Sequence, residues 1–457
     1  MEKREKFASR LGFLLISAGC AIGIGNVWRF SYITGRYGGA AFVLIYLLFL
    51  AILGIPVMVM EFAVGRASRK SCASSFKILE PKGTKWHWYG WFGMAGNYLL
   101  MMFYTTVCGW MLAYVFKMMR GEFTGATAEI SGATFNAMLA NPGPQIFWMI
   151  VSVILGFGVC SLGLQNGVEK ITKVMMILLL GLMVILCVRS VTLPGAGEGL
   201  RFYLIPDFAR LFEQGIGTVV YAAMGQAFFT LSLGIGAMAI FGSYIGKERS
   251  LLGESINITL LDTFVALMAG LIIFPACFAY NVNPGQGPGL VFVTLSSVFG
   301  AMPGGVIWGS LFFIFMSFAA LSTVIAVFEN IVSFGMDLWG WSRKKTVFIN
   351  FFVVILLSLP CVLGYNVLSG FAPFGAGSAI LDLEDFLVSN NILPLGSLVY
   401  LLFCTSRYGW GFKNFTDEAD LGQGLKFPKW ARVYVSYVLP IIVLFIFVMG
   451  YKDKFFS

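Results

Sequence analysis

The chain has 457 residues, 58% of them hydrophobic and only 12% charged, with a mean hydropathy of +0.84. Soluble domains carry about 25% charged residues, and no soluble core of this size hides so much apolar surface, so a soluble protein is excluded. The formal net charge of +9 does not point to nucleic acid, because the basic residues sit in short gaps between apolar runs, where they set membrane orientation.

Each apolar run is long enough to cross a bilayer, which takes about 20 residues. The runs predict eleven spans, at 11–35, 41–64, 88–119, 145–163, 168–188, 214–243, 251–279, 305–337, 346–364, 378–402 and 430–451. Backbone groups in hydrocarbon must bond internally, and the alternating pattern of a barrel is missing, so the spans are helices. The expected fold is all-α: one polytopic transporter domain over 1–457, with five helices in 11–188, five in 214–402 and an eleventh at 430–451.

Span 1 opens like a secretory signal, with a basic start and an apolar run. The run then continues through Gly19-Cys20-Ala21-Ile22-Gly23-Ile24-Gly25-Asn26 into Trp28-Arg29-Phe30 without a small-residue cleavage site, and reads as a retained first span. Lys and Arg concentrate in alternate gaps, among them Lys3, Arg4, Lys6 and Arg10, then Arg66, Arg69 and Lys70, then Lys247 and Arg249, then Arg343, Lys344 and Lys345. By the positive-inside rule this side is cytoplasmic, which puts the N-terminus inside and the C-terminus outside an inner membrane. The eight cysteines lie mostly within apolar runs without CxxC spacing, which argues against a disulfide framework or zinc site. The single histidine, His87, lies in an aromatic stretch and reads as interfacial; one histidine also rules out HExxH and a Ser-His-Asp triad. No G-x-S-x-G or Walker A sequence occurs, so the chain reads as a non-enzyme.

Two spans are chemically unusual. Span 1 carries Gly19, Gly23 and Gly25 before Asn26, and span 6 carries Phe229-Thr230-Leu231-Ser232-Leu233-Gly234-Ile235-Gly236. Glycine weakens a helix interior by about 1 kcal/mol against alanine; alone, either cluster also reads as close helix packing. Each span is the first of five, and Gly-interrupted segments at matching places in two halves point to a transporter binding site with both helices unwound at mid-membrane. Freed carbonyls suit a hard cation, and half-helix N-termini suit a carboxylate. Asn26, Thr230 and Ser232 supply oxygens near the breaks, span 8 adds Ser322 and Thr323, and span 7 adds Asp262. Hydroxyls in membrane helices also bond back to their own backbone, but a carboxylate at membrane depth costs about 2.5–3.5 kcal/mol and marks a functional site by default.

Arg10-Leu11-Gly12, the run from Gly19 to Phe30, Gly38-Gly39-Ala40-Ala41-Phe42, Gly54-Ile55-Pro56, Glu61 and the run from Gly225 to Gly234 resemble the neurotransmitter:sodium symporter family across spans 1 to 10. The likeness is to its bacterial amino-acid branch, the leucine and multi-hydrophobic-amino-acid transporters, including forms without a twelfth span. It implies sodium-coupled import of neutral amino acids with two co-transported Na+ ions. Sodium site 1 would use Ala21, Asn26, Thr230 and Asp262; site 2 would use Gly19, Ile22, Ala319, Ser322 and Thr323. The substrate would lie against Ala21, Gly25, Leu100, Tyr104, Phe229, Thr230, Ser232, Ile235, Thr323 and Val327. Arg29 and Asp385 would gate the outside, with Tyr104 and Phe229 as inner lid; Arg4 and Asp337 would gate the inside near Phe7 and Tyr244. The sequence departs from the family at Ile177, where many relatives have a proline ten residues past Gly167, and at Phe7, where tryptophan is usual.

Three expectations follow from the resemblance. Gly23 stands where monoamine transporters carry aspartate, so the substrate brings its own carboxylate and is an α-amino acid. Ile235 and Val327 remove bulk relative to the leucine transporter while Leu100 adds some, and the lining is apolar, so hydrophobic side chains up to aromatic size are expected. Tyr46 and Gln226 match the chloride shell of the animal branch, but Ala266 has no hydroxyl and Asp262 brings the negative charge itself, so transport is expected to be chloride-independent. The expected partners are an amino acid and the lipid bilayer. Two other readings use the same residues: an exchanger without both sodium sites, which uptake in sodium against choline separates, and a transport-dead sensor or channel, which accumulation against a gradient excludes.

Overall fold

The computed structural model describes residues 5–284 and 289–455. Helices make up the described chain, and the only strand-like pairing among these residues is an isolated bridge between Arg249 and Gln423. Among the described residues, nine helices are long and apolar enough to cross a membrane: Ala40–Ser68, Trp86–Met119, Pro142–Ser161, Leu164–Val191, Leu251–Ala279, Gly305–Trp339, Arg343–Leu363, Ile380–Thr405 and Ala431–Lys452. These are spans 2 to 5 and 7 to 11. Span 1 is a bent pair, Arg10–Ala21 and Gly25–Arg36, with 58° between its halves, which makes ten spans by length and composition. Span 6 falls below that length because Leu231–Gly236 leave the helix, separating Ile216–Thr230 from Ala237–Tyr244. The expected count of eleven thus depends on taking these two short helices together.

The two breaks have a visible backbone cause. In span 6, Gly234 and Gly236 adopt φ of +94° and +75°, and Ser232 joins them at +50°. A left-handed backbone is cheap for glycine and uncommon for serine, and it cannot continue a right-handed helix. In span 1 the helix ends as Ile22 turns extended, with ψ of 94°.

Several long helices also contain one wide, π-type turn, and three of these turns run directly into a proline. Leu50–Gly54 precedes Pro56, Leu387–Ile392 precedes Pro394, and Tyr434–Val438 precedes Pro440. Proline lacks an N–H and its ring clashes with the carbonyl four residues back; a widened turn absorbs the extra residue without ending the helix.

Burial divides the bundle into a core and an outer ring. In its most apolar stretch span 8 is 83% buried and span 3 is 72% buried, against 33% for spans 5, 9 and 11. Uniformly apolar helices with high burial are the central ones; the poorly buried ones present their side chains to lipid. The two breaks face spans 3, 7 and 8. Helices outside the expected spans include Cys72–Leu79, Ala128–Ala140, Ala196–Leu204, Leu290–Ala301 and Phe412–Ala419.

Candidate functional site

The break in span 1 leaves the carbonyls of its last helical turn without intrahelical partners. Span 8 approaches them with two hydroxyls. Thr323 Oγ1 lies 3.3 Å from Gly19 O, 3.5 Å from Cys20 O, 3.5 Å from Ile22 O and 3.4 Å from Ala319 O. Ser322 Oγ lies 3.5 Å from Ile22 O and 2.9 Å from Ala319 O. Each hydroxyl has one hydrogen, so most of these oxygen–oxygen approaches have no proton between them. The result is a buried, oxygen-rich cluster built by all five residues expected at sodium site 2.

A second cluster joins spans 1, 6 and 7. The Asn26 amide donates to Asp262 Oδ1 at 2.8 Å and Thr230 Oγ1 at 3.0 Å, and lies 3.4 Å from Asp262 O. Thr230 Oγ1 donates to Asp262 Oδ2 at 3.1 Å. Gly23 N–H donates to Asn26 Oδ1 at 3.1 Å, which fixes which way the amide faces. Asn26 and Asp262 are fully buried, and Thr230 is 2% exposed. Three of the four residues expected at sodium site 1 therefore touch; Ala21 lies beside them on the cavity wall.

Between the two clusters lies a cavity of about 30 Å³. On this measure a water takes about 10–15 Å³, so in this conformation the cavity has room for about two waters and would have to widen to take anything of amino-acid size. Ala21, Gly25, Leu100 and Tyr104 line it, as do Phe229, Thr230, Ser232 and Thr323. Ile235 and Val327, also expected there, do not line it. Both are fully buried; Ile235, which follows the left-handed Gly234, turns its side chain towards Gly96 on span 3. Sequence reasoning missed Val388 and Leu393, which reach the cavity from span 10, and Cys20, Gly23 and Asn26 also line it. Tyr104 Oη accepts from Ile24 N–H at 3.1 Å, tying Tyr104 to the break in span 1.

The expected gates are placed unevenly. Arg29 lies with its guanidinium carbon 4.2 Å over the Phe229 ring, a cation–π geometry, and its Nη1 is buried without a hydrogen-bond partner. Asp385 accepts from Ser389 Oγ at 2.7 Å, and no ion pair within 4 Å joins it to Arg29. At the basic end of the bundle, Arg4 lies outside the described residues. Asp337 accepts from Lys70 Nζ at 3.1 Å and from Ser71 N–H at 2.7 Å. Phe7 packs edge-on against Tyr244, ring centroids 5.7 Å apart.

Two further acids that are fully buried were given no role by the sequence. Glu61 accepts from Gly234 N–H and Met238 N–H, capping the second half of span 6. Glu329 takes Arg343 through both oxygens, at 2.6 and 2.9 Å, and accepts from Tyr244 Oη at 2.7 Å. Both stand inside apolar runs, so the rule that singled out Asp262 applied equally to them.

A helical membrane bundle whose two interrupted helices meet at buried oxygen clusters around a central cavity is the architecture of a secondary transporter. The chain belongs to the sodium:neurotransmitter symporter family, whose family model matches residues 4–138 and 123–454. It is thus a sodium-dependent membrane transporter by family, and the family is not one of enzymes. It is 34% identical over 448 residues to a sodium-dependent transporter of Bacillus subtilis (strain 168), covering 98% of this chain and 97% of that one. It is 27% identical to the sodium-dependent serotonin transporter of Drosophila melanogaster, covering 98% of this chain and 77% of that protein. Among solved structures it is similar to MhsT in complex with L-phenylalanine, with a TM-score of 0.86 and 39% identity over 98% of this chain and 100% of that chain.

Proposed function

We propose that the chain imports neutral hydrophobic L-amino acids, aromatic ones included, with two sodium ions by alternating access and without chloride. The observation that carries this reading is the convergence of the two broken helices on two separate buried oxygen clusters with an apolar-walled cavity between them. Sodium is a hard cation that takes oxygen ligands. At site 2 the hydroxyls of Ser322 and Thr323 would turn their lone pairs to the ion beside the Gly19, Ile22 and Ala319 carbonyls. At site 1, Asn26, Thr230 and Asp262 would hold the ion with the Ala21 carbonyl, and the substrate carboxylate would complete its shell.

The amino-acid reading draws support from Gly23. A Cβ there would come 2.5 Å from Tyr104 Oη and 2.9 Å from Thr323 Oγ1, so there is no room for a side-chain carboxylate that would pair with a bare amine. A substrate carrying its own carboxylate meets this glycine backbone and the Tyr104 hydroxyl instead. The related solved structure holds L-phenylalanine, which agrees with an apolar lining and with substrates up to aromatic size. The chloride reading stands on Asp262: its carboxylate supplies negative charge beside site 1, and Ala266, one turn on, offers no hydroxyl. Tyr46 Oη and the Gln226 amide are buried nearby without hydrogen-bond partners.

On this reading 11–188 and 214–402 are the two five-helix repeats, the basic end faces the cytoplasm, and Arg29 with Asp385 closes the opposite side. The test is a binding screen of the twenty amino acids with and without sodium, followed by uptake into vesicles in sodium or choline. Saturable, sodium-dependent binding of leucine, phenylalanine, tyrosine or tryptophan is expected. Preferential binding of tryptamine over tryptophan, or accumulation that persists in choline, would overturn the assignment.

A further inference from the structure

The break in span 6 releases backbone groups, and neighbouring spans take them up. Beyond the contacts of Glu61, the Gly234 carbonyl accepts from Tyr89 Oη at 2.6 Å, and the Ile235 carbonyl accepts from Asn97 Nδ2 at 2.8 Å. Asn97 stands on span 3 and is fully buried. Its amide also donates to Gly93 O at 2.7 Å, and its Oδ1 accepts from Asn330 Nδ2 at 2.9 Å. An asparagine amide has two hydrogens and one carbonyl oxygen, so every part of this side chain is engaged and its rotamer is fixed. Asn330, on span 8, is fully buried too, and its own Oδ1 has no partner. A buried amide is costly unless it is bonded; the bond that Asn330 makes is the one that holds Asn97.

The spacing ties this relay to the cavity. Asn97, Leu100 and Tyr104 fall three and seven residues apart, on one face of a helix, and Leu100 and Tyr104 line the cavity. Thr323 and Asn330 are likewise two turns apart on span 8. Ile235 follows three residues after Ser232, which lines the cavity in a left-handed conformation. Upstream, the Ser232 N–H bonds only within its own turn, to Phe229 O at 3.1 Å. The Ile235 carbonyl is therefore an anchor by which the surrounding bundle fixes the unwound segment.

We propose that Asn97, braced by Asn330, is a positioning residue that sets which substrate side chains the cavity accepts. It holds the Ile235 carbonyl and through it the segment carrying Ser232. The inference rests on the reading of that cavity as the amino-acid site. Neither asparagine contacts the substrate; they act through the backbone of span 6.

The test measures sodium-dependent binding of L-phenylalanine and L-valine to the purified full chain and to Asn97→Ala, Asn330→Ala and the double variant. Asn97→Ala removes the amide donor to the Ile235 carbonyl, leaving it only the weak Cys72 Sγ donor at 3.7 Å, and weakens phenylalanine binding by about tenfold or more. The loss for valine is smaller, so the ratio of the two affinities shifts. Asn330→Ala shifts the ratio the same way by less, and the double variant is no worse than Asn97→Ala, as expected for one connected network. Equal losses for both amino acids, or additive losses in the double variant, would mean a merely structural role and overturn the inference. If Asn97→Ala does not fold, Asn330→Ala decides alone: an unchanged ratio overturns the inference. Absence of sodium-dependent binding to the parent chain would instead overturn the cavity reading and this inference with it.

Discussion

Replacing Asp262 by asparagine separates the charge of this side chain from its hydrogen bonds. The carboxylate is fully buried and accepts from Asn26 at 2.8 Å and from Thr230 at 3.1 Å. In Asp262→Asn the amide oxygen keeps one acceptor, and the Thr230 hydroxyl can turn to accept from the new NH2 group. The fold is therefore retained while a full negative charge disappears. A unit charge about 4 Å from a sodium ion, at an effective dielectric near 20, contributes about 4 kcal/mol. Release from the cost of burying the carboxylate offsets part of this loss. At about 1.4 kcal/mol per tenfold, sodium affinity is expected to fall between about tenfold and about a thousandfold. The assay is a sodium titration of labelled amino-acid binding, with thermal melting in detergent to verify the fold. A sodium midpoint within about threefold of the parent, at normal binding capacity, would refute Asp262 as a source of the sodium site's charge. Asp262→Ala serves as the harsher control: two buried donors lose their acceptor at about 1–3 kcal/mol each, and both stability and sodium binding should fall.

Replacing chloride by gluconate should leave sodium-driven uptake within about twofold of its starting rate, since a substrate-site charge change of a full unit would move it by tenfold or more; a collapse of uptake would overturn the charge-balance role given to Asp262. Gly23→Ala places a Cβ 2.5 Å from Tyr104 Oη and should cost amino-acid affinity with little change in melting temperature; parent-like affinity would mean that Tyr104 does not hold the carboxylate. Glu61→Ala leaves the buried Gly234 and Met238 N–H groups unpaired and should destabilise the folded chain by about 2–6 kcal/mol, read as a lower melting temperature, whereas Glu61→Gln, which keeps an acceptor, should cost less.

The helical class, the two breaks and most of the oxygen clusters were legible in the sequence because glycine and intramembrane polar residues leave local signatures. Gly234 and Gly236 announced an interrupted helix, and Asp262 announced a functional carboxylate at membrane depth. Side-chain direction beyond such a segment was not legible. Helical periodicity assigns faces only while the helix continues; after the left-handed Gly234 it no longer applies, and Ile235 faces Gly96 on span 3 instead of the cavity. Val327 lies one turn past Thr323 on the same helix, but the cavity closes at Thr323. The wide turns before Pro56, Pro394 and Pro440 were missed for a different reason: proline signals an interruption without saying whether the helix kinks, ends or widens. Long-range pairings such as that of Arg66 with Glu418 depend on packing that no local pattern encodes.

The packing also decides which parts of the bundle move as one. The second half of span 6, Ala237–Tyr244, is capped by Glu61 of span 2. The two helices lie so close that a Cβ on Gly242 would come 2.5 Å from Phe62 O, and one on Gly65 would collide with the Ala239 carbonyl. Cores packed to this density transmit displacement instead of absorbing it. The loop that follows is bound to the same body: the buried Arg66 donates to Arg249 O at 2.8 Å and to Glu418 Oε1 at 2.7 Å, while Ser250 N–H and Gln423 N–H cross-bond the two loops. Span 2, the second half of span 6, its following loop and the helix Phe412–Ala419 thus form one unit. The first half of span 6, Ile216–Thr230, joins this unit through Leu231, Ser232 and Leu233, and Ser232 is the one left-handed residue among them. Rotation between the two halves would concentrate at these residues, of which Ser232 lines the cavity. Movement of the second half of span 6 must carry span 2 with it, so on the proposed alternating-access reading the site is expected to open towards the basic end by rigid-body displacement of the whole unit and not by the unwinding of a single helix.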